Sequence, residues 1–232
     1  MTNIGEAMAR IEERIRNACV RAGRERAEVR LMGVSKFHAA AEIEEAWDAG
    51  VRVFGESRVQ EAADKFTPFK ARHPDAELRL VGSLQRNKAK TAAALFDAID
   101  SVDRDSLLDE LGALTGAREK PLPILFEVHT AEDSKSGFPD ADSVYRAVDK
   151  ARAFSGLTPC GLMTMAPFTH DERLIRASFH ALAALRDGLV ARFPEYGWSC
   201  LSMGMSDDFE FAIEEGATLI RIGTALFGER RS

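Results

Sequence analysis

The chain has 232 residues, 45% of them hydrophobic and 29% charged, an ordinary globular balance. Acidic side chains outnumber basic ones, 37 to 31, for a formal net charge of -6, which argues against a nucleic-acid backbone as partner. No apolar run approaches membrane-spanning length, and three dispersed cysteines (Cys19, Cys160, Cys200) without a Cys-x-x-Cys exclude a disulfide framework or a zinc site.

The start, MTNIGEAMARIEERI, reads as an amphipathic helix and not as a signal peptide, so a soluble cytoplasmic protein is expected. This first helix is expected from about Asn3 to Ala22, with Ile4, Met8, Ile11, Ile15 and Ala18 on one stripe. Strand signals then begin near Arg30 (RLMGV), Val51 (VRVFG), Glu77 (ELRLVG), Ala98 (AIDSV), Pro123 (PILFEV), Pro159 (PCGLMTM), Trp198 (WSCLSM) and Thr218 (TLIRIG). Amphipathic stretches such as AAEIEEAWDAG, ADSVYRAVDKARAF and DERLIRASFHALAALRDGLVARF lie between them, and no hairpin dipeptide joins two strands. Such alternation implies parallel strands joined by crossover helices. Eight strand signals, with no Gly-x-Gly-x-x-Gly after the first, favour a single-domain (β/α)8 TIM barrel over residues 1–232 rather than an open doubly wound sheet. Little chain follows the last strand, so the extra N-terminal helix is expected to cover the place of a full eighth helix.

In such barrels chemistry sits at the C-terminal ends of the strands. The first strand ends in GVSK, which puts Lys36 on the same face as Met32 and Val34. If that face is the barrel interior, the amine stands over an apolar floor, where desolvation lowers its pKa and leaves free amine to attack a carbonyl. A lysine snorkelling off a strand end fits the position as well. After the seventh strand, SMGMSDDFEFAIEEG offers Ser202, Gly204 and Ser206, and Asp207-x-x-Glu210 has the pattern of a helix-opening capping box. After the eighth, RIGTALFGER offers Gly223 and Thr224. Loops at these two places commonly hold a phosphate, although two ordinary tight turns would look the same. A reactive lysine together with a phosphate cradle suggests a phosphorylated aldehyde or ketone as ligand. Glu56, ending the second strand, is a possible acid or base or a structural hydrogen-bond partner. Gln85 and Asn87 could line the mouth, with Arg86, Lys88 and Lys90 on a solvated helix face.

Several motifs then fall in order: GVSK, FGE-x-x-VQE (Phe54 to Glu61), VGSLQRNK (Val81 to Lys88), DSKSG (Asp133 to Gly137), GLMTMAP (Gly161 to Pro167) and LSMGMSDDFEFAIEEGATLIRIGTALFG (Leu201 to Gly228). In these the chain resembles the pyridoxal-phosphate homeostasis protein family, also called YggS or PROSC, over nearly its whole length. The resemblance implies a barrel like the N-terminal domain of alanine racemase (the type III fold of pyridoxal-phosphate proteins) carrying pyridoxal 5'-phosphate. It implies that Lys36 is the Schiff-base lysine and that Ser202, Met203 and Gly204 form the first phosphate loop. It places Gly223 and Thr224 in the second loop and Arg221 against the pyridine nitrogen. Where the family usually has Asn-Tyr after Phe-Gly-Glu this chain has Ser57-Arg58, so Ser57 stands in the place of a cofactor contact. Arg79 and His129-Thr130 are further departures from the family pattern.

The resemblance also implies a monomer that binds, stores or delivers the cofactor in vitamin B6 homeostasis without turnover, with transient contacts to apo-enzymes. An amino-acid racemase of the alanine racemase type would need a second base, a tyrosine, on the opposite face of the substrate, and the only tyrosines are Tyr145 and Tyr196. A Schiff-base aldolase acting on a sugar phosphate is the other enzyme to which a reactive lysine points.

Overall fold

The computed structural model describes residues 3–116, 118–130 and 136–229. Its elements alternate as expected: α1 (Ile4–Ala22), β1 (Arg30–Val34), α2 (Ala40–Asp48), β2 (Val53–Glu56), α3 (Val59–Arg72), β3 (Glu77–Leu80), α4 (Ala89–Leu95), β4 (Ala98–Val102) and α5 (Asp105–Thr115). They continue with β5 (Leu122–Glu127), α6 (Ala141–Ala151), β6 (Leu157–Met163), α7 (Glu172–Arg192), β7 (Cys200–Ser202), α8 (Phe209–Glu214), β8 (Leu219–Ile222) and α9 (Thr224–Phe227). Every neighbouring pair is parallel, and β8 returns to β1 to close an eight-stranded barrel.

The strand period of two divides the apolar side chains between two places. Leu31, Phe54, Leu78, Leu80, Ile99, Ile220 and Ile222 face outward into the main core, shared with the helices. Met32, Val53 and Leu219 point inward and form a small apolar layer with Val34, Val81 and Cys200. The inner face of β1 is therefore the face of Met32 and Val34, as the parity of Lys36 required. Inside the same barrel Arg79 donates from Nε and Nη2 to Asp100 Oδ1, at 2.9 and 2.7 Å, and from Nη1 to Glu77 Oε1 at 2.6 Å. Burial is the largest influence and works against that guanidinium, but Asp100, Cys200 and Glu77 together outweigh it and hold the Arg79 pKa well above its ordinary value. Burial likewise pushes the thiols of Cys160 and Cys200 up, to about 11 and about 12, so both are inert at neutral pH.

Helix α1 begins with Asn3, whose side chain accepts from the Glu6 amide at 3.2 Å, and closes on Gly23 in the left-handed conformation. Its apolar stripe (Ile4, Ala7, Ile11, Ile15, Ala18) is buried, and each fully buried isoleucine contributes about 1.5–3 kcal/mol. The stripe packs against the short helices α8 and α9, filling the place of a full eighth helix. Arg14 and Arg21 tie α1 to Glu210 and Glu214 on α8 at 2.9 and 2.6 Å. Among the described residues no helix is long and apolar enough to cross a membrane.

Candidate functional site

Closure of β1 against β8 sets Met32 opposite Arg221 and Gly33 opposite Ile222. The last residues of these strands and the loops after them therefore share one side of the C-terminal mouth. A Cβ built on Gly223 would stand 3.6 Å from the carbonyl oxygen of Val34, which puts the loop after β8 against the strand end that leads to Lys36.

Lys36 is half-buried, in a turn formed by Ser35–His38 and closed by the His38 amide donating to the Ser35 carbonyl at 3.1 Å. Phe37 in this turn has φ +68, a left-handed conformation that a bulky residue adopts only under constraint. Three neighbours supply the constraint. The Phe37 amide donates to Glu61 Oε1 at 2.6 Å, and the Arg58 guanidinium lies 4.7 Å over the Phe37 ring. The Lys65 ammonium donates to the carbonyls of Ser35 and His38 at 2.9 and 3.3 Å. The His38 ring stacks on Phe227 of α9, which joins the turn to the last element of the barrel.

Glu56 is wholly buried beneath this turn. Its Oε1 accepts from Ser35 Oγ and lies against Lys65 Nζ, each at 2.7 Å, while Oε2 has no partner among the described residues. Burial raises its carboxyl above the usual range, although Lys65 and Ser35 pull the other way. Of the two readings open for Glu56, the structure supports a hydrogen-bonding role beneath the strand end.

Arg221 reaches inward from β8 and is buried. Its Nη1 donates to Ser202 O at 2.6 Å and to Ser202 Oγ at 3.0 Å, and its Nη2 donates to Thr164 O at 2.8 Å. Burial lowers the Arg221 pKa, opposed by the carboxylates of Asp100, Asp208 and Glu127. Glu127, at the end of β5, accepts from Ser136 Oγ at 2.6 Å, and burial raises its pKa.

The loop after β7 turns at Gly204, with φ +89. A Cβ there would lie 2.5 Å from Ala212 Cβ and 2.8 Å from Phe209 Cα, so only glycine lets this loop settle on α8. The Met203 amide donates to Leu219 O, and its side chain lies in the outer core. Ser206 Oγ accepts from the Ala225 amide at 3.2 Å and stitches the loops after β7 and β8 together. Helix α8 starts one residue later than the Asp207-x-x-Glu210 pattern predicted. Asp208 is its N-cap, and its carboxylate accepts from the Met205 amide at 2.5 Å and makes no cap bond to the helix.

Ser57 lies at the side of this mouth. With Arg58, Gln60, Ser83, Gln85 and Lys88 it lines a cleft of about 380 Å³ between the start of α3 and the loop after β3. Thr130 bonds the hydroxyls of Thr164 and Ser178, at 2.7 and 2.5 Å, and so belongs to a hydroxyl cluster under α7. His129 keeps a buried Nε2 without a partner among the described residues. Asp133, Ser134 and Lys135 of the DSKSG motif, and Arg230, fall outside the described residues. Neither tyrosine is at the mouth: Tyr145 lies on α6, in ring contact with Phe193, and Tyr196 packs edge-on to Trp198 just before β7. Among the described residues no group of three or more His, Cys, Asp or Glu could hold a metal ion. Sequence reasoning did not find Lys65, whose only local signal is Glu61 four residues earlier on α3.

The closed parallel barrel thus gathers a lysine, a buried arginine and a glycine turn at adjoining strand ends, the class of barrel whose C-terminal mouth can receive a small molecule. The donor set suits pyridoxal 5'-phosphate: an amine for the aldehyde, a guanidinium for the ring, and hydroxyls and close-approach glycines for the phosphate.

Residues 7–231 match the family model described as alanine racemase, N-terminal domain. The chain is 40% identical over 233 residues to the pyridoxal phosphate homeostasis protein of Pseudomonas aeruginosa, spanning 99% of this chain and 97% of that one. It is 37% identical over 229 residues to the protein of the same name from Aquifex aeolicus, spanning 99% of each. The structure of PipY from Synechococcus elongatus, solved with pyridoxal phosphate bound, superposes with a TM-score of 0.82 at 36% identity, over 94% of this chain and all of that one (100%). The chain belongs to the family of pyridoxal phosphate homeostasis proteins, with the barrel of the alanine racemase N-terminal domain.

Proposed function

We propose that this protein binds pyridoxal 5'-phosphate at the C-terminal mouth of its barrel and takes part in intracellular vitamin B6 homeostasis by holding the cofactor without turnover. The observation that carries this reading is the placement of Arg221 on β8 and of Lys36 in the turn that follows β1, the two strands that close the barrel, with Met32 paired to Arg221. PipY, similar over nearly the whole chain and solved with the cofactor bound, supports the choice of ligand.

In this reading the Lys36 amine condenses with the aldehyde carbon to form a Schiff base, releasing one water. The bound cofactor supplies that electrophilic carbon and an electron-withdrawing ring. Arg221 faces the ring nitrogen and, already cationic, opposes its protonation, which weakens the ring as an electron sink. Gly204, Gly223, Thr224, Ser202 and Met203 shape the phosphate end, with Ser57 at the outer edge. Because Met203 has committed its amide to Leu219, its part is to support the loop from the core.

The positions of Tyr145 and Tyr196 weigh against racemisation, since neither offers a base at the mouth. As a carrier the protein acts as a cytoplasmic monomer, one cofactor-binding domain over residues 1–232, that meets apo-enzymes only transiently. The test is mass spectrometry after borohydride reduction of protein incubated with the cofactor. The expected result is one reduced adduct on Lys36, lost in Lys36→Ala. An unmodified Lys36 in the wild-type protein would overturn the reading, and turnover of an amino acid that disappears in Lys36→Ala would replace it with the racemase.

A further inference from the structure

Lys65 sits in the middle of α3, where a lysine four residues after a glutamate ordinarily forms a solvated surface pair worth a few tenths of a kcal/mol. This one is turned inward. Its side chain is only 11% exposed, and four oxygens surround the ammonium. They are Glu56 Oε1 at 2.7 Å, Glu61 Oε1 at 2.9 Å, Ser35 O at 2.9 Å and His38 O at 3.3 Å. The two carbonyls belong to the first and last residues of the turn that carries Lys36. The two carboxylates hold the same turn by other atoms: Glu56 takes the Ser35 hydroxyl and Glu61 takes the Phe37 amide.

We propose that Lys65 is a positioning residue for Lys36, its ammonium fixing the Ser35–His38 turn in the left-handed form that aims Lys36 into the mouth. The turn needs such a device. Left-handed backbone at a phenylalanine is unfavourable, so the turn that carries Lys36 has to be held in this form by its neighbours. Charge-assisted bonds to both end carbonyls supply that hold. Placing the ammonium costs desolvation, which Glu56 and Glu61 offset; this accounts for two carboxylates beneath a strand end where no reaction uses them.

The proposal rests on the reading of Lys36 as the cofactor lysine, and the experiment separates the two. Wild-type protein, Lys65→Met, Glu61→Gln and Lys70→Met are compared. Lys70 lies on the same helix and forms an ion pair with Asp97 at 2.6 Å, away from the turn, so Lys70→Met reports the effect of losing an ion pair alone. Cofactor affinity is measured by titration, the pH midpoint of the violet absorption band by spectroscopy, and exchange of the amides at 36–38 by hydrogen–deuterium mass spectrometry on cofactor-free protein.

Lys65→Met is expected to weaken affinity about tenfold or more, the scale of one charge-assisted bond, to move the pH midpoint and to speed exchange at 36–38. Glu61→Gln should move the same readouts less, and keeps the test alive if Lys65→Met does not fold. Lys70→Met should leave all three as in the wild type. Folded Lys65→Met, or Glu61→Gln in its place, with wild-type affinity and pH midpoint would overturn the positioning role while leaving the cofactor reading intact. If the wild type takes up no cofactor, the functional reading falls and the positioning role with it.

Discussion

Arg221 and Ser202 are joined twice inside the barrel: Nη1 of the arginine reaches both the carbonyl and the hydroxyl oxygen of the serine, at 2.6 and 3.0 Å. The contact links β8 to β7 at the height where the two candidate phosphate loops begin. A third bond to Thr164 O carries the link to the end of β6. The guanidinium is thus a brace for three strand ends and, in the proposed reading, also the contact to the cofactor ring.

This double role makes Arg221→Ala costly in two measurements. Removing the donor leaves the buried Thr164 carbonyl without the arginine and the Ser202 carbonyl with the Thr164 amide alone, at 3.2 Å, a loss of about 1–3 kcal/mol of unfolding free energy in denaturant titration. Arg221→Lys should recover part of the stability but not the planar contact to the ring, so its cofactor affinity stays low. Full affinity in Arg221→Lys would show that the guanidinium plane has no part in binding.

The Arg79–Asp100 pair makes the next prediction. Both side chains are buried, at 5% and 0% exposure, and removing Asp100 leaves the Arg79 guanidinium with only its Glu77 contact, at 2.6 Å, to offset its burial. Asp100→Ala is therefore expected to destabilise the fold by about 3–5 kcal/mol. Replacing both residues by apolar ones of similar volume should cost much less. Equal losses in the single and double variants would mean that packing, and not the stranded charge, sets the cost.

At Gly204 the constraint is steric. Alanine there would hold a left-handed φ and press its Cβ to 2.5 Å from Ala212 Cβ and 2.8 Å from Phe209 Cα. The Phe209 contact is with backbone and cannot give cheaply, so Gly204→Ala should lose about 1–3 kcal/mol of stability. The displaced loop should weaken cofactor binding as well. Gly216, also at positive φ but with open space around its missing Cβ, is the comparison site, where alanine should cost less and leave binding unchanged.

How much of this could be read from residue order depended on whether the signal was local. All eight strands were legible because each is a short apolar run between helical patterns, though β7 shrank to Cys200–Ser202. Trp198, which had looked like its start, sends its indole N–H to Phe193 O outside the strand. The turn carrying Lys36 after β1 and the glycine turn after β7 lie where the sequence placed them, but place alone read Lys36 equally as a lysine leaving a strand end, and only the motifs gave it a role. Arg79 was visible only as a departure, because Asp100 lies on the next strand and the pairing is tertiary. Its trace in the sequence is a charge at inward parity in both ELRL and AIDSV, between Leu78, Leu80 and Ile99, which face out. Lys65 was hidden for the same reason: its partners Ser35 and His38 lie 30 and 27 residues away, and the local pattern showed only an i,i+4 pair with Glu61.

Glu127 supplies a pH test. Burial is the main cause of its raised pKa, with Asp103 adding to it and the Ser136 hydroxyl opposing it. Because the folded value lies above the unfolded one (about 4.3 for glutamate), the folded state binds the proton more tightly. The associated stability is fully present below the unfolded pKa and is lost as pH rises through the folded pKa. Glu127→Gln cannot titrate, yet its amide oxygen can still accept from Ser136. The stability of the wild type relative to Glu127→Gln should therefore fall as pH climbs from about 4 toward neutrality, and level off once the carboxylate is fully ionised. Urea unfolding of both proteins across that range measures the difference, and a difference that does not change with pH would show that Glu127 titrates alike in the folded and unfolded chains.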